Sequence, residues 1–289
     1  MKLLISTDTS CLLNYETLTK YDISVFPLNV IIDGEEFLDG VTIKQPELIS
    51  AMRAGKKIQT STPPLGDVIS YFEKLFEKGY DHVIHFTISS KLSSMNNLFN
   101  SVAEEHFKGK VTIIDAYTVS APMLSYVLLA YDMASSGSSP EEIVKAVEEA
   151  KGYAYLIFIP ENLTALKNGG RISPTIALIG NAIGIKPVLL LDDGEIKKED
   201  MTRKARAVLE QKIKDMATDK LPSEYDYSVL SFDANEYLLN YICEVTETVT
   251  GNKPILGAIP INVGAHCGPG TIGVAITKKI NGKSLKDFM

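Results

Sequence analysis

The residues best suited to chemistry in this sequence are hydroxyls gathered at the ends of short apolar runs. Ser6-Thr7-Asp8-Thr9-Ser10 closes the first run, and Thr87-Ile88-Ser89-Ser90-Lys91-Leu92-Ser93-Ser94 closes the third. Asp115-Ala116-Tyr117-Thr118-Val119-Ser120 follows the fourth, and Thr60-Ser61-Thr62-Pro63-Pro64 precedes an amphipathic stretch in the same manner. A single Ser or Thr in such a place is ordinarily a helix N-cap. Two or more converging on one point would supply hydroxyl and helix N–H donors to a small carboxylate or phosphate, without a full positive charge.

Two glycine-flanked loops in the second half add further candidates. Lys167-Asn168-Gly169-Gly170-Arg171-Ile172-Ser173-Pro174 reads as the end of one helix and the start of the next, with Gly169 or Gly170 as C-cap and Ser173 as N-cap. Arg171 is left over, needing an anion or solvent. Gly264-Ala265-His266-Cys267-Gly268-Pro269-Gly270 reads as a tight turn between the last two strands, with His266 and its neighbouring N–H groups available to a ligand. A Cys-His nucleophile at His266-Cys267 is disfavoured, because adjacent side chains seldom face each other. His82, His85, His106 and His266 lack metal-ligand spacing and read as surface or satisfied histidines. There is no G-x-x-x-x-G-K-[ST] loop, no G-x-G-x-x-G after the first strand and no G-x-S-x-G elbow. Nucleotide binding and serine hydrolysis lose their usual support.

The elements that must carry these groups alternate through the first half. Leu3–Ser6, Phe26–Ile32, His82–Ile88 and Val111–Asp115 read as strands. Helices fall around Val68–Phe76, Ser94–His106, Ala121–Ala134 (apolar nearly all round, hence buried) and Pro140–Ala150, the last capped by Ser139. That order implies a parallel sheet covered by helices, with ligands beyond the carboxyl ends of its strands. After Tyr155–Ile159 the pattern changes. Val188–Leu191 and Gly194–Lys198 flank a hairpin turn at Asp192-Asp193-Gly194; helices near Arg203–Met216 and Asn235–Val249 then interleave with Tyr227–Phe232, Pro254–Ile259 and Thr271–Thr277. The expected architecture is α/β: an N-terminal domain over 1–152 and a mixed-sheet C-terminal domain over 153–289.

The 289 residues carry 29 Lys and Arg against 36 Asp and Glu, a net charge of −7, which suits neither nucleic acid nor an anionic membrane. Three scattered cysteines argue against a disulfide framework, and Asp8 cuts the first apolar run well short of a signal-peptide core. With no uninterrupted apolar span of about 20 residues, the expected setting is the cytoplasm.

In chain order, T-D-T-S at 7, T-S-x-P at 60, S-S-x-L-S at 89, G-G-R-I-S at 169, I-K-P at 185 and H-x-G-P-G at 266 resemble the DegV family. The resemblance spans essentially the whole chain. It implies an N-terminal α/β/α domain and a C-terminal domain on a mixed sheet, with a long-chain fatty acid such as palmitate or oleate held at their junction. It also implies a binding subunit with no catalysis or cofactor of its own, presenting the acyl carboxylate to a separate ATP-dependent fatty acid kinase protein in phospholipid metabolism. Thr60, Ser61, Ser93 and His266 match the residues expected on the carboxylate. Arg171, and more loosely Arg203, match residues expected in kinase docking or in steadying the phosphoryl group. Ser94-Met95 stand where the family usually has Gly-Thr, which bears on head-group geometry. The alternative is a free-standing enzyme on a small carboxylate or phosphorylated substrate, with His266 as general base and Arg171 as anion clamp.

Overall fold

Pro27 splits what the sequence reads as one strand over 26–32. In the computed structural model, β1 (Leu3–Asp8) is joined in parallel by β2 (Ile23–Phe26), and beyond the proline the chain leaves that sheet as β3 (Asn29–Ile32). Proline lacks the N–H a central ladder requires, so pairing does not continue through it. β3 pairs antiparallel with β4 (Glu35–Leu38) and, after α1 (Gln45–Arg53), with β5 (Ile58–Ser61). Apart from β3, this small sheet has no counterpart in the sequence reading, and neither has α1. The structure describes residues 1–11, 13, 16–179 and 185–289.

The next elements are α2 (Leu65–Glu77), β6 (His82–Thr87), α3 (Met95–His106), β7 (Val111–Asp115) and α4 (Ser120–Ser135). Their sheet is parallel throughout, in the order β2-β1-β6-β7, and forms a three-layer α/β/α unit with its helices. α5 (Pro140–Lys151) starts as expected: Ser139 Oγ accepts from the Glu142 N–H at 3.3 Å while Glu142 accepts from the Ser139 N–H at 2.8 Å.

β8 (Tyr155–Ile159) opens a second, six-stranded sheet. It is followed by α6 (Thr164–Asn168), α7 (Pro174–Ile179), β9 (Lys186–Asp192) and β10 (Glu195–Thr202). Asp193 and Gly194 both have positive φ, 50° and 76°, the geometry of a two-residue turn whose twist matches its hairpin. Then come α8 (Ala205–Asp219), β11 (Tyr225–Phe232), α9 (Glu236–Thr250), β12 (Ile255–Ala258), α10 (Ile261–Cys267) and β13 (Thr271–Lys278). The strand order is β10-β9-β8-β13-β11-β12, mixed because only β11 and β12 pair in parallel.

One expectation is corrected at this end of the chain. The segment around His266 is not a tight turn from Gly264 onward: α10 runs to Cys267, and the turn proper begins at Gly268 and Gly270, φ 83° and 86°. A seven-residue helix containing a glycine has little intrinsic stability. It forms because it is buried, and because the Asp39 carboxylate accepts from the Asn262 N–H at its first turn, 3.2 Å away.

α4 packs against β1 of the first sheet and β13 of the second, which is why ten of its sixteen residues are buried and its pattern is apolar on every side. Strand alternation then sorts the second sheet. Ile157, Ile159, Val229 and Val274 face α8 and α9 with Leu209, Ile213 and Ile242, while Leu156, Leu230 and Ala275 join the core around α4.

Candidate ligand-binding site

A cavity of about 350 Å³ lies where the two sheets and the small antiparallel sheet meet. Its apolar wall comes from the inner face of the second sheet. Register places Phe158, Gly273 and Leu230 side by side on β8, β13 and β11, and Leu156 and Leu191 line the same wall. A glycine in the middle of that row leaves a trough between two large side chains. Ile88, Leu92 and Val119, from the loops after β6 and β7, and Met95, at the start of α3, also line the cavity. This is the carboxyl edge of the parallel sheet, where open α/β sheets bind ligands. The β9–β10 hairpin leans onto it: Ser89 Oγ donates to Gly194 O at 2.8 Å, and Ile196 contributes to the lining.

The polar end gathers five of the six residues singled out from the sequence. Thr60, Ser61, Ser93, His266 and Arg171 all line this cavity. Thr60 and Ser61 sit at the end of β5 rather than on a loop, held by pairing with Val30 and Asn29. Thr60 Oγ1 is hydrogen-bonded to His266 Nε2 at 2.8 Å. Burial, and then the positive charge of Arg171, push the His266 imidazole down to about 4, so it is neutral at physiological pH. With the ring proton on Nε2, the imidazole donates to Thr60 and the threonine proton is free to point at a ligand.

Gly169, the C-cap of α6, makes this arrangement possible. A Cβ there would stand 2.2 Å from His266 Nδ1, so only glycine lets the helix end approach the ring. Ser93 Oγ accepts from the Met95 N–H at 3.3 Å, as a capping hydroxyl does, which leaves its own proton to donate. Arg171 Nε donates to Leu92 O at 3.1 Å and its Nη1 to Gly169 O, so the guanidinium ties the G-G-R loop to the loop carrying Ser93. Among the described residues no carboxylate lies within ion-pair distance of Arg171. Burial lowers its pKa, the mark of a cation that gains from an anionic partner. The cavity therefore has an oily body and a head rich in hydroxyl donors beside an unneutralised positive charge.

Arg203 does not belong to this assembly. It is exposed where β10 gives way to α8, in a different surface cleft with Lys204 and Lys212. The hydroxyls after β1 are also spent elsewhere. Ser10 donates through its N–H (2.8 Å) and Oγ to Asp8, which also accepts from the Ile88 N–H at 2.7 Å; Thr9 donates to Asp39 at 3.0 Å. These buried bonds fasten β1 to the loop after β6 and Asp39 to the turn after β1, and burial raises Asp8 to about 6 and Asp39 to about 7. His85 corrects another expectation. Its Nδ1 bonds Ser6 Oγ at 2.8 Å and its ring stacks on Phe99 at 4.4 Å, but Nε2 is buried without a partner, so it is only half satisfied. Cys267 lines the cavity with its thiol pushed up to about 12 by burial, unsuited to nucleophilic work.

Thr62, Ser94, Asn29, Ser120 and Asn262 also line the cavity. Asn262 stands four residues before His266, and the spacing would have marked it had the segment been read as a helix. Among the described residues no group of three or more His, Cys, Asp or Glu could hold a metal ion, and no helix is long and apolar enough to cross a membrane.

The family model described as an uncharacterised protein of the DegV family matches residues 2–279. A DegV domain-containing protein of Clostridium acetobutylicum is 31% identical over 281 residues, covering 96% of this chain and 99% of the relative. Among solved structures, a DegV family protein from Thermus thermophilus, described by its fatty acid binding, superposes with a TM-score of 0.85 at 25% identity, over 96% of this chain and 100% of that one. A stearic acid-binding protein from Eubacterium ventriosum gives 0.84 at 25% identity, over 96% and 98%.

Proposed function

Because the chain belongs to the DegV family, we propose that it binds a long-chain fatty acid and presents the acyl carboxylate to a separate ATP-dependent kinase protein. Thr60, Ser61 and Ser93 donate to the carboxylate, His266 orients Thr60, and Arg171 supplies the counter-charge. The tail lies against Phe158, Gly273 and Leu230. The observation that carries this reading is one cavity lined both by apolar side chains and by Thr60, Ser61, Ser93, His266 and Arg171, a cation with no carboxylate at ion-pair distance among the described residues. A wall of that kind suits a hydrocarbon better than a small polar substrate, which weighs against a free-standing enzyme using His266 and Arg171. Each buried methylene contributes about 0.8 kcal/mol, so the tail supplies most of the affinity and the head sets orientation.

Presentation follows from the far side of the head group. Thr60, Arg171 and His266 also line a second, mostly polar cleft with Lys56, Asn162 and Asn168. A kinase approaching there would meet a carboxylate held by hydroxyl donors beside Arg171, with one oxygen free. That oxygen attacks the γ-phosphorus of ATP on the kinase as the bond to the bridging oxygen breaks; ADP leaves and an acyl phosphate stays in the cavity. We place the division between the two structural units at 152/153, supported by the change of sheet between α5 and β8. Native mass spectrometry of protein purified from bacteria tests the binding step. A mass excess released on denaturation as a long-chain acid is expected; a clean apo mass with no uptake of palmitate or oleate would overturn it. Thr60→Ala combined with Ser93→Ala should weaken binding at least tenfold with the fold retained, as read by circular dichroism.

A further inference from the structure

Asn29 is a polar residue of this cavity that the head-group account leaves unused. It lines the cavity and is only 8% exposed, and its side chain has no hydrogen-bond partner among the described residues. Its amide is nevertheless not sealed in. The fully buried side-chain atoms that lack a partner belong to His85, Ser120, Ser228, Asn262 and Thr277, and Asn29 is not among them. An amide that stays accessible on a nine-tenths buried residue opens onto the space that residue lines. Left unpaired there, it costs free energy that a ligand would recover.

Register fixes where it stands. β3 places Asn29 directly opposite Ser61 of β5, so the two side chains share a face, with Cβ atoms about 4.5–5.5 Å apart. Side chains alternate along β5, so Thr60, bonded to His266, stands on the other face. The two pairs also differ in what lies beyond them. Thr60, His266 and Arg171 border both the cavity and the polar cleft, whereas Asn29, Ser61 and Ser93 border the cavity and not the cleft.

We infer that Asn29 is a further ligand of the carboxylate, donating from Nδ2 beside Ser61 to the oxygen turned away from the cleft. An amide can present its oxygen or its nitrogen, and an anion selects the nitrogen. The inference rests on the fatty-acid reading of the head group given above.

Binding of hexadecanoate labelled with carbon-13 at its carboxyl carbon, followed by NMR, tests it. Asn29→Leu should bind the acid roughly tenfold or more weakly, the worth of a hydrogen bond to a charged group. Asn29→Asp keeps the size and shape of the side chain but sets a carboxylate beside that of the ligand, and should weaken binding at least as much. The bound carboxyl signal reports ionisation, and its midpoint should lie about one pH unit higher in Asn29→Leu than in the wild-type protein, because a donor to the charged form holds the pKa down. A residue that only shapes the wall would weaken binding without moving that midpoint. Wild-type affinity in either variant, or an unmoved midpoint in Asn29→Leu, overturns this inference alone. If Asn29→Leu does not fold, the affinity of the isosteric Asn29→Asp decides. Failure of the wild-type protein to take up hexadecanoate overturns the fatty-acid reading with it.

Discussion

Gly169→Ala disturbs the head of the cavity without changing a residue that lines it. The glycine has φ −76°, so alanine is conformationally acceptable and the whole effect is steric. The new Cβ would stand 2.2 Å from His266 Nδ1 and 3.0 Å from its Cε1, whereas ordinary contact begins at 3.4 Å; the ring must therefore retreat by the difference, about 1.2 Å. The ring cannot move that far and keep its present 2.8 Å bond between Nε2 and Thr60 Oγ1 undisturbed. Thr60 then loses the partner that aims its proton. A hydrogen bond to a charged group is worth about 1.5–3 kcal/mol, or roughly ten- to a hundredfold in Kd. Calorimetric titration with palmitate should show that loss, while the midpoint of thermal unfolding moves by only a few degrees. Thr60→Val should show a similar loss, and the double variant little more than either single one, because both changes break the same interaction. Wild-type affinity in Gly169→Ala, or fully additive losses in the pair, would refute the role given to His266.

Filling the trough should shorten the preferred acid. In Gly273→Val the Cβ meets Phe158 Cβ at 3.3 Å and the Ile157 carbonyl at 3.2 Å, and the added methyls occupy space between Phe158 and Leu230. Losing about 0.8 kcal/mol per displaced methylene, the variant should favour dodecanoate over hexadecanoate in competition; an unchanged ranking would mean the tail does not cross β13. The buried carboxylates predict a stability slope. Asp8 and Asp39 are raised from 3.8 to about 6 and about 7, so their contribution is fully present below pH 3.8 and is lost as pH rises through those values. Asp39→Asn should remove about 2–3 kcal/mol of the loss between pH 5 and 8 in denaturant titrations; an identical slope in the variant would place the ionised carboxylate in a better-solvated setting.

The parts of this molecule that were legible in the sequence are those whose local pattern and tertiary role agree. β7 and α5 follow from composition and capping, and α4 from being apolar on every side, because it serves two sheets. The small antiparallel sheet was not legible. Glu35-Glu36-Phe37-Leu38 is largely exposed and lacks clean alternation, and β5 is a four-residue edge partner. That gap matters, because β5 is the element that delivers Thr60 and Ser61. The α10 helix failed to register for the opposite reason. Glycines on either side of His266 read as a turn, while the helix depends on Asp39, more than two hundred residues away in the chain, which no local window contains. Thr60, Ser61 and Ser93 were found through the hydroxyl clusters, His266 and Arg171 through the two glycine-flanked loops, and all five through the resemblance. Asn262 was not, because its place on the cavity wall shows only once Ile261–Cys267 is known to be a helix.

The two ends of the cavity are built from interactions of different stiffness. The tail end is a face of the second sheet continuous with the main core, so widening it means parting close-packed side chains. The head end is held by bonds that cross between the two halves of the chain: Thr60 to His266 at 2.8 Å, Arg171 to Leu92 O at 3.1 Å, Ser89 to Gly194 O at 2.8 Å and Gln45 to Ile259 O at 2.9 Å. Each contributes a net of only about 1 kcal/mol, and each can be exchanged for water. On the fatty-acid reading, opening would start at the head, uncovering the carboxylate while the hydrocarbon stays sheathed. An acid bound as proposed would reinforce the same closure, stabilising the docked arrangement in proportion to its occupancy. Affinity for the acid and docking of the two halves would then be one linked equilibrium, and Arg171, proposed to take part in both, is the residue where loss of either should be felt first.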